Sequence, residues 1–484
     1  MELKMEQVQI ANDELAFHSL SFNDHNGRLF EWQGDIYRAI PAHQTPLYQD
    51  LLQKGIIRQL VSQKLLIETE LTPLKVENYA LVLKHRKIDF VSYPKEWCSE
   101  MLKDAALLHL DFCLELERYG LITGDANPLN ILFDGCQPIF IDLGSIEQIG
   151  EHSHSLWSAY NQFCRCFINP LGLMTQGQGR IARWLIQDYE QGILPEDVTA
   201  LTDKSPLSLL QKNGRNWLKS TLQHRLPDVV LPWAKQIRDR ARPLFTSTNK
   251  SLSRRAFFEQ TRQEILNIDC ATLPTKSANS SIDQPTVFLA NNSQQAKFQL
   301  VASILSDLQP ASVLEIGNSN SDGDYAQLAA QKANQVVFLT PEESKAEQLY
   351  LHGKQNQLPI LPLLMNFMSP SSDLSNAWFA PAGDRLSCEL TLALDLIDWL
   401  VFEQPQCFPF DRIVERIAVF SKRWLLTEFV TINPPHSEAL SPDLKYIFSW
   451  YNLDNFIAAL HREFHQVDTI ERVSESSVLI LCQK

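Results

Sequence analysis

The stretch Thr123-Gly-Asp-Ala-Asn-Pro-Leu-Asn-Ile-Leu-Phe133, followed by Ile139-Phe-Ile-Asp-Leu-Gly-Ser145, decides the fold of the first half of this chain. Its two apolar runs flank the turn-forming pair Asp134-Gly135, and this pattern predicts a β-hairpin. Because the two strands of a hairpin are antiparallel, the end opposite the turn brings Asn130 next to Asp142. Asp125 lies five residues before this Asn, so we expect all three polar side chains to converge on one cleft.

Phosphotransfer enzymes of the kinase type use such a trio of groups. One Asp orients the acceptor hydroxyl and accepts its proton, while an Asn and a second Asp hold the metal ions that bridge the phosphates. An Asn and a second Asp at these two spacings follow a given Asp by chance in about one case in four hundred. The neighbouring glycines Gly124 and Gly144 therefore add weight to the resemblance described next. The segment resembles the catalytic and metal-binding segment of aminoglycoside phosphotransferases. The resemblance implies that Asp125 is catalytic and that Asn130 and Asp142 bind metal.

Composition indicates an ordinary globular protein of 484 residues with a formal net charge of -14 and 44% hydrophobic residues. No lysine-arginine run suggests nucleic acid as a partner, and no apolar run has the length that membrane insertion requires. The nine cysteines are scattered through the chain, without a second pair at zinc-site spacing. We expect them to be reduced, as in a cytoplasmic protein.

The first half, residues 1–268, has the element order of a two-lobed domain. Residues 28–40 alternate apolar and polar side chains around Gln33-Gly34, which predicts a hairpin. A helix is expected at 46–65 and a longer one at about 97–118, before the hairpin of the polar trio. Helical patterns then run from about 155 to 268. Residues 269–293 are rich in Ser, Asn and Pro and are predicted to be a linker.

The second half, residues 294–484, alternates strands with helices. Strands are expected at 312–317, 335–339, 360–364, 389–394, 423–429 and 477–481, with helices between them. This order predicts an α/β fold with a largely parallel, doubly wound, Rossmann-like sheet. In such sheets ligands bind at the carboxyl ends of the strands, where the strand order reverses. The segment Val313-Leu-Glu-Ile-Gly317 is placed for that role.

This segment is similar to the first motif of class I S-adenosylmethionine-dependent methyltransferases. The whole chain resembles a bacterial family of such enzymes, related to nodulation-type methyltransferases, whose members carry a kinase-like N-terminal half. The resemblance rests on segments such as Gly34-Asp-Ile-Tyr-Arg38, Val91-Ser-Tyr-Pro-Lys-Glu-Trp97 and Pro138-Ile-Phe-Ile-Asp142. It implies that S-adenosylmethionine lies over Glu315 and Gly317 with Asn366 near its adenine. For the first half it implies ATP and Mg²⁺ as ligands.

Several positions depart from the pattern of these families. The acid that usually bonds the ribose hydroxyls after the second strand is replaced by Thr340, and Glu342 is the nearest acid. In the first half no glycine-rich phosphate loop is present. The lysine that grips phosphates is replaced by Arg38, with Lys84 as a weaker alternative. Arg38 could instead be an exposed strand residue without a ligand.

The leading interpretation is a cytoplasmic bacterial transferase that methylates a small-molecule or glycan acceptor, with a kinase-like domain that binds ATP. One alternative is an ATP-dependent small-molecule or saccharide kinase with a degenerate methyltransferase scaffold. Another is a non-catalytic protein that senses nucleotides or binds partners. The acceptor and the oligomeric state do not follow from the sequence.

Overall fold

The computed structural model of the chain describes residues 8–18, 21, 24–150, 156–202, 253–270, 292–370, 379–404, 406–431, 448–474 and 476–484. The chain forms two compact units. The first contains Met1–Lys87, Leu102–Leu132 and Pro138–Leu273, and the second contains Ile88–Met101, Phe133–Gln137 and Pro274–Lys484. Most of the predicted linker lies outside the described residues, so the boundaries 1–268, 269–293 and 294–484 stay a prediction.

The first unit begins with a five-stranded antiparallel sheet. Its strands are β2 (Ala16–Phe17), β3 (Arg28–Trp32), β4 (Asp35–Ile40), β5 (Thr69–Leu71) and β7 (Leu81–His85), in the order β2-β3-β4-β7-β5. The hairpin expected at 28–40 is confirmed, and Gln33 and Gly34 have positive φ at its turn. Two short strands, β1 (Val8–Gln9) and β6 (Leu74–Lys75), form a separate parallel pair.

The helix expected at 46–65 is instead two helices, α1 (Thr45–Gln53) and α2 (Ile56–Ser62). Gly55 separates them with φ of +71°, a left-handed conformation that glycine adopts without a Cβ clash. The long helix α3 (Ser99–Glu117) agrees closely with the sequence expectation. It precedes β8 (Leu121–Thr123), which pairs with β11 (Ile146–Gln148) in an antiparallel arrangement.

The predicted hairpin comes between β8 and β11 along the chain. It is formed by β9 (Ile131–Asp134) and β10 (Gln137–Phe140). The remaining described part of the first unit is helical, as expected. It contains a π-helical turn at Cys164–Ile168 and the helices α4 (Tyr160–Phe163), α5 (Asn169–Met174), α6 (Gly179–Leu185), α7 (Pro195–Thr202) and α8 (Arg254–Leu266). The helical pattern expected at 203–252 falls outside the described residues.

The second unit contains a seven-stranded sheet. Its strands are β12 (Ser312–Ile316), β13 (Gln335–Thr340), β14 (Ile360–Leu364), β15 (Cys388–Ala393), β16 (Ser421–Val430), β17 (Gln466–Ser474) and β18 (Ser477–Gln483). The order is β14-β13-β12-β15-β16-β18-β17, parallel from β14 to β16 and antiparallel at β18 and β17. The central strands are buried at nearly every position, as in a sheet covered on both faces. The expected Rossmann-like topology is present.

The helices of this unit are α9 (Asn292–Leu308), α10 (Asp324–Ala329), α11 (Glu343–Asn356), α12 (Ala382–Leu386), α13 (Phe410–Ala418) and α14 (Leu453–Glu463). One face of the sheet packs on α9, α10 and α11 through a continuous apolar cluster. In the described residues, no helix is long and apolar enough to cross a membrane.

Two short segments from the first half of the sequence belong to the second unit. Arg385 donates to both carboxylate oxygens of Glu96, with a 2.8 Å distance from Nη1 to Oε2, and its guanidinium stacks on Tyr93. The side chains of Arg385 and Glu96 are 3% and 0% exposed. Trp97 packs edge-to-face on Phe133, with ring centroids 4.9 Å apart. These contacts make the two segments part of the core of the unit.

Candidate functional site

In the first unit, Asn130 lies opposite Ile141, the residue before Asp142. The backbone N–H of Ile141 donates to the carbonyl of Asn130 at 2.9 Å, which closes the end of the hairpin opposite its turn. The Nδ2 amide of Asn130 donates to Oδ1 of Asp125, also at 2.9 Å. Asp125 and Asn130 are therefore joined directly by their side chains.

Asp142 caps the single helical turn Leu143–Ser145, and its Oδ1 accepts the backbone N–H of Gly144 at 2.9 Å. The same oxygen accepts Nη2 of Arg38 at 2.9 Å. A Cβ at Gly144 would lie 2.8 Å from Nη1 of Arg38, so the guanidinium approaches the backbone where a side chain is absent. The second acid of the trio is thus engaged by an arginine.

Arg38 lies on β4, the central strand of the sheet, and only 2% of its side chain is exposed. The alternative of an exposed strand residue is therefore wrong. Its Nη1 donates to Oδ2 of Asp24 at 2.7 Å, which the sequence reasoning did not single out. Lys84 pairs across the sheet with Tyr37, the neighbour of Arg38, and so lies on the opposite face. There it forms an ion pair with Asp35, so it does not lie on the same face as Arg38.

Burial dominates the electrostatics of this group of side chains. Burial, followed by the negative charge of Asp142, raises the pKa of Asp125 to about 7, although the hydrogen bond from Asn130 lowers it. Tyr48 is 1% exposed, and its hydroxyl has no hydrogen-bond partner among the described residues. Burial raises the pKa of Tyr48, while the nearby charge of Arg38 lowers it. The tyrosine therefore lies close to the arginine and its acids.

The trio is engaged by protein groups but is not closed to a metal ion. Oδ1 of Asp142 already accepts two donors, and the amide of Asn130 points its N–H to Asp125, so that Oδ2 of Asp142 and Oδ1 of Asn130 have no hydrogen bond among the described residues. Within the described ranges, no three His, Cys, Asp or Glu side chains are grouped so that they could hold a metal ion. The roles of Asn130 and Asp142 as Mg²⁺ ligands consequently stay a prediction.

In the second unit, Glu315 and Gly317 lie at the carboxyl end of β12. Glu315 is 4% exposed and accepts the backbone N–H of Ala326 at the start of α10. Burial, followed by the charges of neighbouring aspartates, raises the pKa of Glu315 to about 8, although the Ala326 N–H lowers it. A Cβ at Gly317 would lie 2.8 Å from the ring of Phe338 and 3.0 Å from Ser321. This glycine is required by packing against β13, whatever ligand lies above it.

Strand β12 pairs with β13 on one side and with β15 on the other, so the strand order reverses there. Next to this point, Lys297 from α9 donates to both oxygens of Asp395 at 2.7 and 2.8 Å and to Glu428 at 2.9 Å. Burial alone would lower the pKa of Lys297, but the two carboxylates raise it above its usual value. Asn318 donates to the carbonyl of Asp395, which joins the loops after β12 and β15.

Sequence reasoning missed Lys297, Asp395 and Glu428. Asp395 follows the strand β15, and the rule that ligands bind at strand ends would have indicated it. No local pattern points to Lys297, whose partners are 98 and 131 residues away. The group is a buried ammonium between two carboxylates at the edge of the sheet where β12 and β15 end.

The remaining predicted positions line the same edge. Thr340 is fully buried, and its hydroxyl accepts the backbone N–H of Glu342, which is exposed. Asn366 follows β14, is exposed, and accepts the backbone N–H of Met368 through Oδ1. Thr340 itself thus supplies no carboxylate, and Glu342, two residues further along the chain, is exposed.

Comparison with known proteins gives distant similarities. No family model matches the chain. It is 25% identical over 466 residues to the nodulation protein NoeA of Rhizobium meliloti (strain 1021), covering 93% of this chain and 92% of that protein. The N-methyltransferase NodS from Bradyrhizobium japonicum WM9 is 9% identical with a TM-score of 0.28, over 40% of this chain and 97% of that one. The magnesium protoporphyrin IX methyltransferase ChlM from Synechocystis PCC 6803, with bound SAH, is 11% identical with a TM-score of 0.29, over 43% and 90%. These values do not establish a family, and the fold assignment rests on the strand order.

Proposed function

We propose that the second unit is an S-adenosylmethionine-dependent methyltransferase that acts on a small-molecule or glycan acceptor. The observation that carries the proposal is the acid-lined edge at the strand reversal, where Asp395 and Glu428 pair with Lys297 and Glu315 lies at the end of β12. A doubly wound sheet binds its ligand at that place. The nodulation protein and the methyltransferases similar to this chain agree with this proposal.

The residues present fit the cationic end of the cofactor better than its ribose. When bound, S-adenosylmethionine supplies an electrophilic methyl group on a positively charged sulfur. Asp395 and Glu428 carry two carboxylates against the single ammonium of Lys297, and this excess of negative charge would favour the sulfonium. Glu315 would hold the start of α10 in place through Ala326. The ribose lacks its usual acid because Thr340 stands in that position. Thr340 is also buried, and its hydroxyl is already engaged by the Glu342 N–H. We therefore expect weak binding.

Calorimetric titration of the full chain with S-adenosylmethionine tests the proposal. Thr340→Asp should tighten binding about tenfold to a hundredfold, because a charge-assisted hydrogen bond contributes roughly 1.5–3 kcal/mol. The added carboxylate can still accept the Glu342 N–H with one oxygen. Thr340→Ser keeps the hydroxyl without a charge and serves as the matched control. If neither the wild type nor Thr340→Asp binds the cofactor, the proposal fails.

A second candidate function is nucleotide binding with phosphotransfer chemistry in the first unit. It is favoured by the strand arrangement of the sheet and by the position of Arg38 on its central strand, where protein kinases carry their phosphate-binding lysine. The pKa of Asp125, raised to about 7, suits a general base at neutral pH. Because Oδ1 of Asp142 is held by Arg38 in this arrangement, no step involving Mg²⁺ is assigned here.

A further inference from the structure

We propose that Asp24 occupies, from within the chain, the place of a phosphate group in the first unit. In this arrangement Asp24 holds Arg38, Arg38 holds Asp142, and a phosphate-bearing ligand must displace the Asp24 carboxylate to bind. The inference rests on the nucleotide-binding candidate for this unit and is independent of methyl transfer.

The contacts of the guanidinium carry the inference. Arg38 bridges two carboxylates, with Nη1 at 2.7 Å from Asp24 and Nη2 at 2.9 Å from Asp142. The side chain of Arg38 is 2% exposed, whereas those of Asp24 and Asp142 are 24% and 25% exposed. The two acids thus lie between a buried cation and the solvent. Carboxylate and phosphate oxygens both fit the arginine fork, so they compete for the same donors.

The loop that carries Asp24 is fastened over the segment that follows Asp142. Asn26 donates from Nδ2 to the carbonyl of Gly144 at 2.7 Å, and its backbone N–H donates to Asp24 at 3.0 Å. Gln44 in turn donates to the side-chain oxygen of Asn26 at 2.7 Å. A Cβ at Gly144 would lie 3.2 Å from Asp24, so the closed arrangement requires this glycine. The loop therefore closes as a unit around the arginine.

Two buried donors remain available to an incoming ligand. Neither Nε of Arg38 nor the hydroxyl of Tyr48 has a hydrogen-bond partner in the described part of the chain. Both residues are at least 98% buried, and the charges of Asp24 and Asp142 act on the Tyr48 hydroxyl. Leaving buried donors unpaired is unfavourable, so a ligand with several oxygens would gain from meeting them. This is the chemistry of a nucleoside triphosphate or of inorganic triphosphate.

Removing the Asp24 carboxylate should therefore strengthen binding. Calorimetric titration of the full chain with Mg²⁺–ATP, and separately with inorganic triphosphate and Mg²⁺, should show tighter binding in Asp24→Ala than in the wild type. We expect about tenfold or more, which corresponds to ~1.4 kcal/mol. Asp24→Asn removes the charge but keeps an oxygen for Arg38 and should lie between the two. Thermal unfolding of each variant verifies that Arg38 paired with Asp142 alone still supports the fold.

Asp35→Ala is the matched control. It also removes an aspartate from an ion pair, with Lys84 at 2.7 Å, but on the opposite face of the same sheet. Its affinity for both probes should equal that of the wild type. If Asp24→Ala binds as the wild type does, the competition by Asp24 is refuted while nucleotide binding stands. If Asp24→Ala binds more weakly, Asp24 is itself a ligand-holding residue and the inference is wrong. If no variant binds either probe, the nucleotide candidate falls together with the inference.

Discussion

Glu315 gives the second unit a measurable dependence of stability on pH. Its folded pKa of about 8 lies above the ordinary value of 4.5, so between these two values the folded state binds more protons than the unfolded state. Stability therefore falls as the pH rises through this window. Glu315→Gln keeps an acceptor for the Ala326 N–H without a charge. It should be more stable than the wild type at pH 8.5 by at least about 1.4 kcal/mol, the equivalent of one pKa unit, and nearly unchanged at pH 5.

Urea unfolding at the two pH values measures this difference. Glu342→Gln, an exposed glutamate at the same edge of the sheet, is the control and should show the same stability change at both. A stabilisation by Glu315→Gln of equal size at pH 5 and pH 8.5 would contradict the argument.

Contacts between residues that are close in the chain were easier to predict from the sequence than contacts between distant residues. The spacing in the hairpin indicated that Asn130 would lie beside Asp142, and the structure places it one residue away through the Ile141 hydrogen bond. Arg38 was singled out because of its place on a predicted strand. Its partner Asp24 lies 14 residues earlier, in a loop whose fold the sequence pattern does not indicate. Lys297 had no signal at all, because its partners come together only when the sheet forms.

At the level of strands and loops, the end of β12 is held by its fit against β13. Gly317→Ala would place a Cβ 2.8 Å from the Phe338 ring and should destabilise the second unit by about 1–3 kcal/mol, as overpacking does. The double variant Gly317→Ala/Phe338→Leu should recover part of this loss, because the smaller side chain makes room. Chemical denaturation measures both.

Gly150→Ala is the control, since an added Cβ there meets no atom within 4 Å. If Gly317→Ala is as stable as the wild type, the close approach to Phe338 does not constrain the loop. A larger residue such as leucine at 317 would disturb this packing first, so loss of cofactor binding in that variant would not locate the cofactor.

Strongly periodic elements followed from the sequence, and interrupted or edge elements did not. Strand β14 was predicted at its observed bounds, and α3 to within two residues at its start. The predicted helix at 46–65 is broken because Gly55 takes a left-handed conformation, which helical periodicity does not report. The edge strand β17 was not predicted, since its nine residues, Gln466–Ser474, are largely polar and lack an apolar run.

For the whole molecule, the pair of Glu96 and Arg385 is the sharpest test of how the second unit is built. Glu96→Ala leaves a buried guanidinium without its carboxylate and should cost about 3–5 kcal/mol of the free energy of unfolding of that unit. Glu96→Ala/Arg385→Met should recover much of this loss, because no uncompensated charge then remains. Calorimetric unfolding of the full chain resolves the transition.

The surface pair of Arg412 and Glu415, with side chains 47% and 53% exposed, provides the control. Glu415→Ala should cost less than about 1 kcal/mol. If Glu96→Ala costs no more than Glu415→Ala, the segment 88–101 does not help to hold the second unit together.

The change in element pattern along the chain was predictable, but the place of two first-half segments in the second unit was not. Composition and periodicity indicate where one pattern of helices and strands ends and another begins. They carry no signal that Ile88–Met101 and Phe133–Gln137 are built into the second unit, since that depends on contacts such as Cys136 to the carbonyl of Ile360, 224 residues apart.

Because Ile88–Met101 and Phe133–Gln137 belong to the second unit, cutting the chain between its two halves should not separate them into independent domains. A protease site engineered between residues 274 and 291 would divide the chain into two polypeptides, and the N-terminal one would still carry Glu96, Trp97 and Phe133. We expect the cleaved pieces to co-elute in size-exclusion chromatography, held by the Arg385 fork and the buried rings. The C-terminal piece expressed alone should be poorly soluble, and co-expression with residues 1–273 should rescue it.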